Sequence, residues 1–374
     1  MSAPQTLVLG SGIVGTAAAW DLARRGHVVT VADRREEALA ALSDRLDLAT
    51  AVVDVDDTAA VAQLMADQDA VVSAVPYSYG AALAAAAVTN GVHYADFGGN
   101  PTVVKQQLRL DAAARKADVA VVPDCGLAPG LANVLAADMI GALEPGPIDS
   151  VQMRVGALPQ VPAGALGYQL TFSPGGLINE YAEPCEVLEG GAVIEVEPLT
   201  RFESVEWESW GPLEAFSTAG GTSTLCHDYA GRVDALEYKT LRFPGHGATF
   251  RSMYELGLFD ESPWDVDGRL VAPRPVLVEA LGTHLPQGAP DVVLVRVWAS
   301  QGSRRVGLEM VDLHDGDFSA LARTTAFPAT ALVDLLARGQ LAVRGGLAMP
   351  QAITGAQLLP ELEDVGITMT PLGG

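Results

Sequence analysis

Along the first 140 residues, short apolar runs alternate with longer stretches in which apolar residues recur every three or four positions. That alternation predicts strands joined by helices, the pattern of a parallel α/β sheet. Strands are expected at residues 6–9, 28–32, 51–53, 70–75, 93–96 and 119–122. The run at 70–75 is almost wholly apolar, which predicts a central strand buried on both faces. Helices are expected at 13–25, closed by Gly26, and at 81–88, closed by Gly91. Two more are expected at 102–116 and from Pro129-Gly130 to about residue 140.

The rhythm changes near Leu143, where Glu144-Pro145-Gly146-Pro147 reads as a linker. Beyond it, strands are expected at 151–155, 187–196, 233–238, 292–299 and 305–311, separated by loops rich in Gly and Pro. This predicts an α+β second domain with a mostly antiparallel sheet. From about Thr325 helical spacing returns, clearest at 328–338. No internal repeat is visible.

The first strand runs into Gly10-Ser11-Gly12-Ile13-Val14-Gly15, and a helix follows. In that context the three glycines have separate tasks. Gly10 permits a tight turn, Gly12 lets the backbone approach a pyrophosphate, and Gly15 lets the helix pack on the sheet. The N–H groups of Ile13 and Val14 open the helix, where its dipole favours an anion. Asp33 ends the second strand, placed to accept hydrogen bonds from an adenosine ribose. The first domain is therefore expected to be a doubly wound Rossmann domain. Asp33 favours NAD, because it would repel a 2′-phosphate. Arg34 and Arg35 follow at once and leave NADP open. Asp54 is a candidate for the adenine side, and Val75 and Pro76 for the nicotinamide ribose.

The chain has 374 residues, 49% of them hydrophobic, which suits two domains with sizeable cores. Its formal net charge of −23 makes nucleic acid an improbable partner, since a phosphate backbone would be repelled. The three cysteines, Cys125, Cys185 and Cys226, are far apart, with no metal-ligand spacing. This pattern predicts a reducing compartment and no metal. No stretch approaches the roughly 20 apolar residues of a membrane helix, and no secretory leader is visible. A cytoplasmic location without membrane association is the expectation.

Further candidates for chemistry lie at the last strand of the first domain and in the second domain. Cys125, in Asp124-Cys125-Gly126-Leu127-Ala128-Pro129-Gly130, reads either as a catalytic thiol or as a packing residue near the nicotinamide. Glu180 lies in the turn and short helix 173–181, and Thr224 in the glycine–hydroxyl loop 220–224. Lys239, Arg242 and His246 crowd together in a chain with 23 basic and 46 acidic residues. Their plain alternative is a solvated face.

Several segments together resemble the saccharopine dehydrogenase-like family, and within it the lysine 6-dehydrogenase branch. They are the 10–15 fingerprint, Ser73-Ala74-Val75-Pro76-Tyr77, HYADFG at 93–98, DCGLAPGLAN at 124–133, SPGGLINEY at 173–181, AFSTAGGTSTL at 215–225 and YKTLRFPGH at 238–246. The resemblance implies a Rossmann domain at 1–142, an inserted substrate and dimerisation domain at 143–324, and a return to the Rossmann domain at 325–374. It implies homodimers or higher homo-oligomers built through the second domain. It also implies NAD(P)-dependent chemistry at a carbon bearing an amine, with oxidative deamination of the terminal amine of L-lysine as the leading reading. Arg242 then suits the substrate carboxylate, Glu180 or Asp96 an ammonium, and Lys239 or His246 the base. Saccharopine formation or cleavage is a second reading, and a catalytically silent NAD-binding sensor a third.

Overall fold

The computed structural model describes residues 2–372. The chain divides into two compact units. One holds the residues up to Asp138 together with Ala322–Thr368, and the other holds Met139–Leu321 together with the segment from Met369.

The first unit is built on a seven-stranded parallel sheet. Its spatial order is Gly345–Gly346, Ala120–Val122, His93–Asp96, Ala70–Ser73, Gln5–Leu9, Val28–Asp33 and Ala49–Val52. The chain winds outward in both directions from Gln5–Leu9, so the sheet is doubly wound, and a crevice is expected at the carboxyl end of that strand. Leu7, Leu9, Val71, Tyr94 and Val121 of the sheet pack with Met65, Leu83, Ala84 and Ala87 of the helices. Six of the strands lie close to their expected positions. The seventh pairs through two glycines, which carry no side-chain signal. Helices Glu36–Leu46 and Thr58–Met65 were not anticipated, and the helix expected over 102–116 is divided into Pro101–Leu108 and Asp111–Lys116.

A buried ion network ties the returning C-terminal segment into this unit. Asp21, 0% exposed on helix Ile13–Arg24, accepts from Arg24 at 2.8 Å, Arg25 at 2.7 Å and the Thr330 hydroxyl at 2.5 Å. Arg25 reaches on to Glu361 at 2.5 Å, and His27 to Asp334 at 2.7 Å. Removing one partner of such a network strands a buried charge, at a cost of about 3–5 kcal/mol. Asp21→Ala is therefore expected to lower unfolding stability by that amount. Denaturant titration of the variant checks this, and a loss within the ordinary range of a surface substitution would contradict it.

The second unit centres on a nine-stranded mixed sheet. Its main path runs Glu203–Trp207, Gly211–Ser217, Val233–Arg242, Ile148–Pro159, Asp291–Gln301, Arg304–Leu313 and Thr370–Pro371. Every pairing is antiparallel except that between Val233–Arg242 and Ile148–Pro159. The single strand expected over 187–196 is instead a hairpin, Cys185–Glu189 and Ala192–Val196. Gly190 and Gly191, at φ 57° and 72°, make the left-handed turn between them. The hairpin Glu203–Trp207 and Gly211–Ser217 was not anticipated, and the strand expected to end at 238 continues to Arg242.

That extension decides which side chains meet, because successive residues of a strand face opposite ways. Tyr238, Thr240 and Arg242 share one face of Val233–Arg242. On that side an aromatic and aliphatic core joins Tyr168, Tyr181 and Ile178 with Phe216 and Phe250. Leu241 faces the other way, into a core of Leu158, Leu213, Ala215, Val292 and Leu294. Among the described residues, no helix is long and apolar enough to cross a membrane.

Candidate functional site

In the first unit, the carboxyl ends of four adjacent strands open onto a cavity of about 290 Å³. Gly10 and Gly12 line it from the first strand, Asp33, Arg34 and Arg35 from the second, and Val53 and Asp54 from the third. Ala74, Val75, Pro76 and Tyr79 close it. Seven of the ten residues anticipated for a dinucleotide thus meet in one cavity.

Gly10 sits at φ 99°, and a Cβ there would come within 2.6 Å of the Ala74 carbonyl oxygen. A Cβ on Gly15 would overlap the Gly10 carbonyl oxygen, so helix and turn touch backbone to backbone. Gly12 differs: a Cβ there meets nothing within 4 Å. Helix Ile13–Arg24 has no side-chain cap at Gly12, and its first backbone bond is Thr16 N–H to Gly12 O at 2.8 Å. The preceding N–H groups of Ile13, Val14 and Gly15 are left for an anion. An uncapped helix start beside a glycine facing open space fits the diphosphate of a nicotinamide dinucleotide. Two variants separate the roles. Gly15→Ala is expected to destabilise the fold strongly, whereas Gly12→Ala folds normally and loses at least about tenfold in dinucleotide affinity through obstructed approach. Thermal melts and cofactor fluorescence titration of both variants check this, and a Gly12→Ala protein that binds normally would contradict it.

Asp33 is more engaged than its sequence position suggests. One carboxylate oxygen accepts the Ser11 N–H and hydroxyl, both at 2.8 Å, and the other accepts Arg35 N–H at 2.9 Å and Nε at 3.1 Å. Partial burial works to raise its pKa, but Arg35 and Ser11 outweigh this and hold it well below the usual carboxylate range. Arg35 is thereby committed to Asp33, while Arg34 remains on the cavity wall.

Two other anticipated residues of this unit are engaged in structure. Cys125 is 0% exposed, and its thiol donates to Val122 O at 3.1 Å. Burial, with Asp96 and Asp124 nearby, raises its pKa well above the ordinary thiol value. A thiolate nucleophile is not supported there, and Cys125 is a packing residue. Asp96 accepts Gln107 Nε2 at 2.5 Å, Gly98 N–H at 3.0 Å, Tyr94 hydroxyl at 3.1 Å and Asp124 N–H at 3.2 Å. Both its oxygens are saturated from within, which argues against an ammonium-binding role. Burial raises its pKa, only partly offset by these donors.

In the second unit the Lys239–Arg242–His246 group splits. Lys239 lies on the strand face opposite Arg242, where Nζ donates to Glu203 at 2.8 Å and reaches Glu237 at 3.3 Å. Arg154 bonds the same two carboxylates and stacks over Trp298 at 5.3 Å. This is a closed ion-pair network, so Lys239 is not placed to be the base. Thr224 donates to Asp228 at 2.7 Å, a local turn contact.

Arg242 is 3% exposed, yet its partners are all uncharged. Nε donates to Tyr181 Oη at 3.0 Å, Nη1 donates to Leu241 O at 2.9 Å, and the guanidinium lies over the Tyr168 ring at 5.0 Å. Among the described residues, no carboxylate forms a salt bridge with it. Burial works against its charge, but Tyr181, Tyr168 and Glu180 raise its pKa, so it stays a cation. Tyr181 Oη is 3.0 Å from His246 Nε2, and His246 Nδ1 is 3.2 Å from Leu166 O. Burial and the neighbouring Arg242 drop the His246 pKa to about 3, so the ring is neutral and a poor base at neutrality. Half-buried Glu180, from helix Pro174–Ala182, is the acid nearest in effect. Burial raises its pKa to about 7, and Arg242 limits the rise. Tyr168, Tyr181 and Tyr238 complete this group. Tyr181 and Tyr238 lie in the segments 173–181 and 238–246 beside the more strongly titrating Glu180 and Lys239, and Tyr168 lies in an irregular loop. Among the described residues, no cluster of His, Cys, Asp or Glu is arranged to hold a metal.

Two family models cover the chain almost end to end, the saccharopine dehydrogenase NADP binding domain at residues 6–122 and the saccharopine dehydrogenase C-terminal domain at 126–367. The chain belongs to the saccharopine dehydrogenase family. It is 25% identical over 268 residues to a Schizosaccharomyces pombe saccharopine dehydrogenase [NADP(+), L-glutamate-forming], covering 69% of this chain and 59% of the relative. It is 26% identical over 270 residues to the mitochondrial alpha-aminoadipic semialdehyde synthase of Rattus norvegicus, covering 70% of this chain and 29% of that one. The chain thus spans under two thirds of the length of these relatives. Apo saccharopine dehydrogenase (L-Glu forming) from Saccharomyces cerevisiae shares the fold, with a TM-score of 0.79 over 99% of this chain and 100% of that one, at 18% identity. So does a homospermidine synthase from Legionella pneumophila in complex with NAD, with a TM-score of 0.73 over 99% and 91%, at 11% identity.

Proposed function

We propose that the chain is an NAD(P)-dependent amino-acid oxidoreductase that oxidises a carbon bearing an amine, most specifically the terminal amine of L-lysine. The observation that carries this reading is Arg242: a guanidinium 3% exposed and bonded only to neutral groups. An unpaired buried charge is costly, and a ligand carboxylate relieves the cost. Its planar fork can hold both carboxylate oxygens.

The bound nicotinamide supplies a hydride acceptor. Gly10, Gly12 and the N–H groups of Ile13 and Val14 hold its diphosphate, with Val75 and Pro76 beside the ribose. Asp33, already bonded to Ser11 and Arg35 and held ionised, would repel a 2′-phosphate, which favours NAD, while Arg34 leaves room for NADP. The chain must also make the reacting amine neutral, since a hydride leaves only as the nitrogen lone pair moves toward carbon. Glu180 is suited to that, because its pKa of about 7 lets it take a proton from a substrate ammonium near neutrality. The resulting iminium adds water and collapses to an aldehyde and ammonia. Assembly of homodimers through the second unit belongs to the same proposal.

Saccharopine is the second reading, favoured by the names of the relatives. Its extra dicarboxylate asks for further cations. In the second unit Lys239 and Arg154 are ion-paired with Glu203 and Glu237, whereas among the described residues Arg242 forms no salt bridge. Cofactor reduction with L-lysine or saccharopine, each with NAD and with NADP, tests the reading. Reduction with lysine and release of ammonia supports it. Reduction with saccharopine alone transfers the function to the second reading, and no reduction with either removes both.

A further inference from the structure

We infer that Tyr181 and His246 are positioning residues, a polarised hydrogen-bond chain that fixes the Arg242 guanidinium without neutralising it. The inference rests on the reading of Arg242 as the carboxylate receptor and adds how that receptor is held.

The direction of the chain is forced at both ends. Arg242 Nε–H can only donate, so Tyr181 Oη accepts there at 3.0 Å. The Tyr181 hydroxyl proton is then free to point at His246 Nε2, also 3.0 Å away. At the far end the Leu166 carbonyl can only accept, so the proton on the ring sits on Nδ1, 3.2 Å from that oxygen. Because the ring is neutral, this leaves Nε2 to accept from Tyr181, and arginine, tyrosine, histidine and carbonyl form one unbroken sequence of a single polarity. His246 is the neutral Nδ1–H tautomer, held by Phe250 stacked at 4.7 Å and Tyr168 edge-on at 5.1 Å.

A carboxylate in place of this chain would also orient the guanidinium, but it would cancel the charge. That arrangement occurs on the opposite face of the strand, where Glu203 and Glu237 pair with Arg154 and Lys239. On the Arg242 face the supports are a phenol, a carbonyl and an aromatic ring, all neutral. Nε and one Nη1 proton are occupied by Tyr181 and Leu241. Three Nη protons remain for a carboxylate to accept.

Two measurements test this. The first compares kcat/KM for L-lysine with that for 1,5-diaminopentane, which keeps the amines and lacks the carboxylate. Tyr181→Phe is expected to lower the lysine-to-diamine ratio about 10- to 100-fold, the range for losing a hydrogen bond to a charged group. His246→Leu acts in the same direction, and His246→Gln, whose side-chain oxygen can accept from Tyr181, partly restores the ratio. An equal loss for both substrates in well-folded Tyr181→Phe would mean a merely structural role and overturns the inference. The second is nitrogen NMR of the His246 ring in the full chain, which does not depend on turnover. Protonated Nδ1 with bare Nε2 supports the chain, and a proton on Nε2 overturns it. Should the wild type oxidise neither compound, the proposed function fails while the tautomer still decides the chain.

Discussion

Arg242→Ala is expected to lower kcat/KM for L-lysine by about 30- to 5,000-fold, with dinucleotide affinity unchanged. The size follows from the roughly 2–5 kcal/mol lost when one partner of a desolvated, hydrogen-bonded charge pair is removed. The dinucleotide is spared because its cavity is built from residues 10–79 of the other unit. The loss should not come from unfolding. The hydrogen-bond partners of Arg242 are all neutral, so an uncharged replacement of similar length, such as Arg242→Met, should retain the fold while activity falls. Steady-state kinetics, cofactor fluorescence and thermal melts of both variants check the three parts. Near-normal turnover in either folded variant would show that Arg242 does not receive the carboxylate.

Glu180→Gln is expected to lower turnover by about 10²- to 10⁴-fold, the usual contribution of a positioned general base. It should also remove a limb from the pH profile. A base works when deprotonated, so wild-type kcat/KM should rise with pH through about 7 and level off above it. In the glutamine variant that limb disappears. Stability moves the other way. The Glu180 pKa is raised from 4.5 to about 7 in the folded chain, so the folded state holds this proton more tightly than the unfolded state. That contribution is fully present below about 4.5 and is lost as pH rises through about 7. Glu180→Gln should therefore gain stability relative to wild type on the alkaline side. A wild-type profile flat across neutrality, with an active glutamine variant, would place the base elsewhere.

Much of the first unit was legible because its signals are local. A strand, a glycine turn, a helix and an acid in register lie within 29 residues, from Gln5 to Asp33, and Gly10 and Gly15 each have a steric reason for lacking a side chain. The cavity gathers Gly10, Gly12, Asp33, Arg34, Asp54, Val75 and Pro76 as the spacing suggested. The helix Glu36–Leu46 was missed because only Leu39 and Leu42 are buried, so its apolar stripe is thin. Pro328 lies within helix Ala320–Ala337, whereas the proline was expected to begin it.

The second unit was read less well, and one error carried over to its chemistry. Ending the strand at 238 left Lys239, Arg242 and His246 as a loop cluster. Continued to Arg242, the strand's two-residue period puts Lys239 on the opposite face from Arg242 and separates an ion-pair network from a charged receptor. Cys125 and Asp96 carried suitable chemistry, but burial and hydrogen bonds from Gln107, Gly98, Tyr94 and Asp124 decide their roles. No periodicity marks Tyr168, which reaches Arg242 from an irregular segment.

The central claim is that a substrate carboxylate sits on Arg242 in this family member. A crystal structure with NAD and L-norleucine tests it most directly, because norleucine keeps the carboxylate and chain length of lysine and lacks the amine to be oxidised. The account predicts the norleucine carboxylate on the free Nη edge of Arg242, with the Arg242–Tyr181–His246 chain intact behind it. A norleucine carboxylate bound elsewhere, with Arg242 still bonded only to Tyr181 and Leu241, would contradict it.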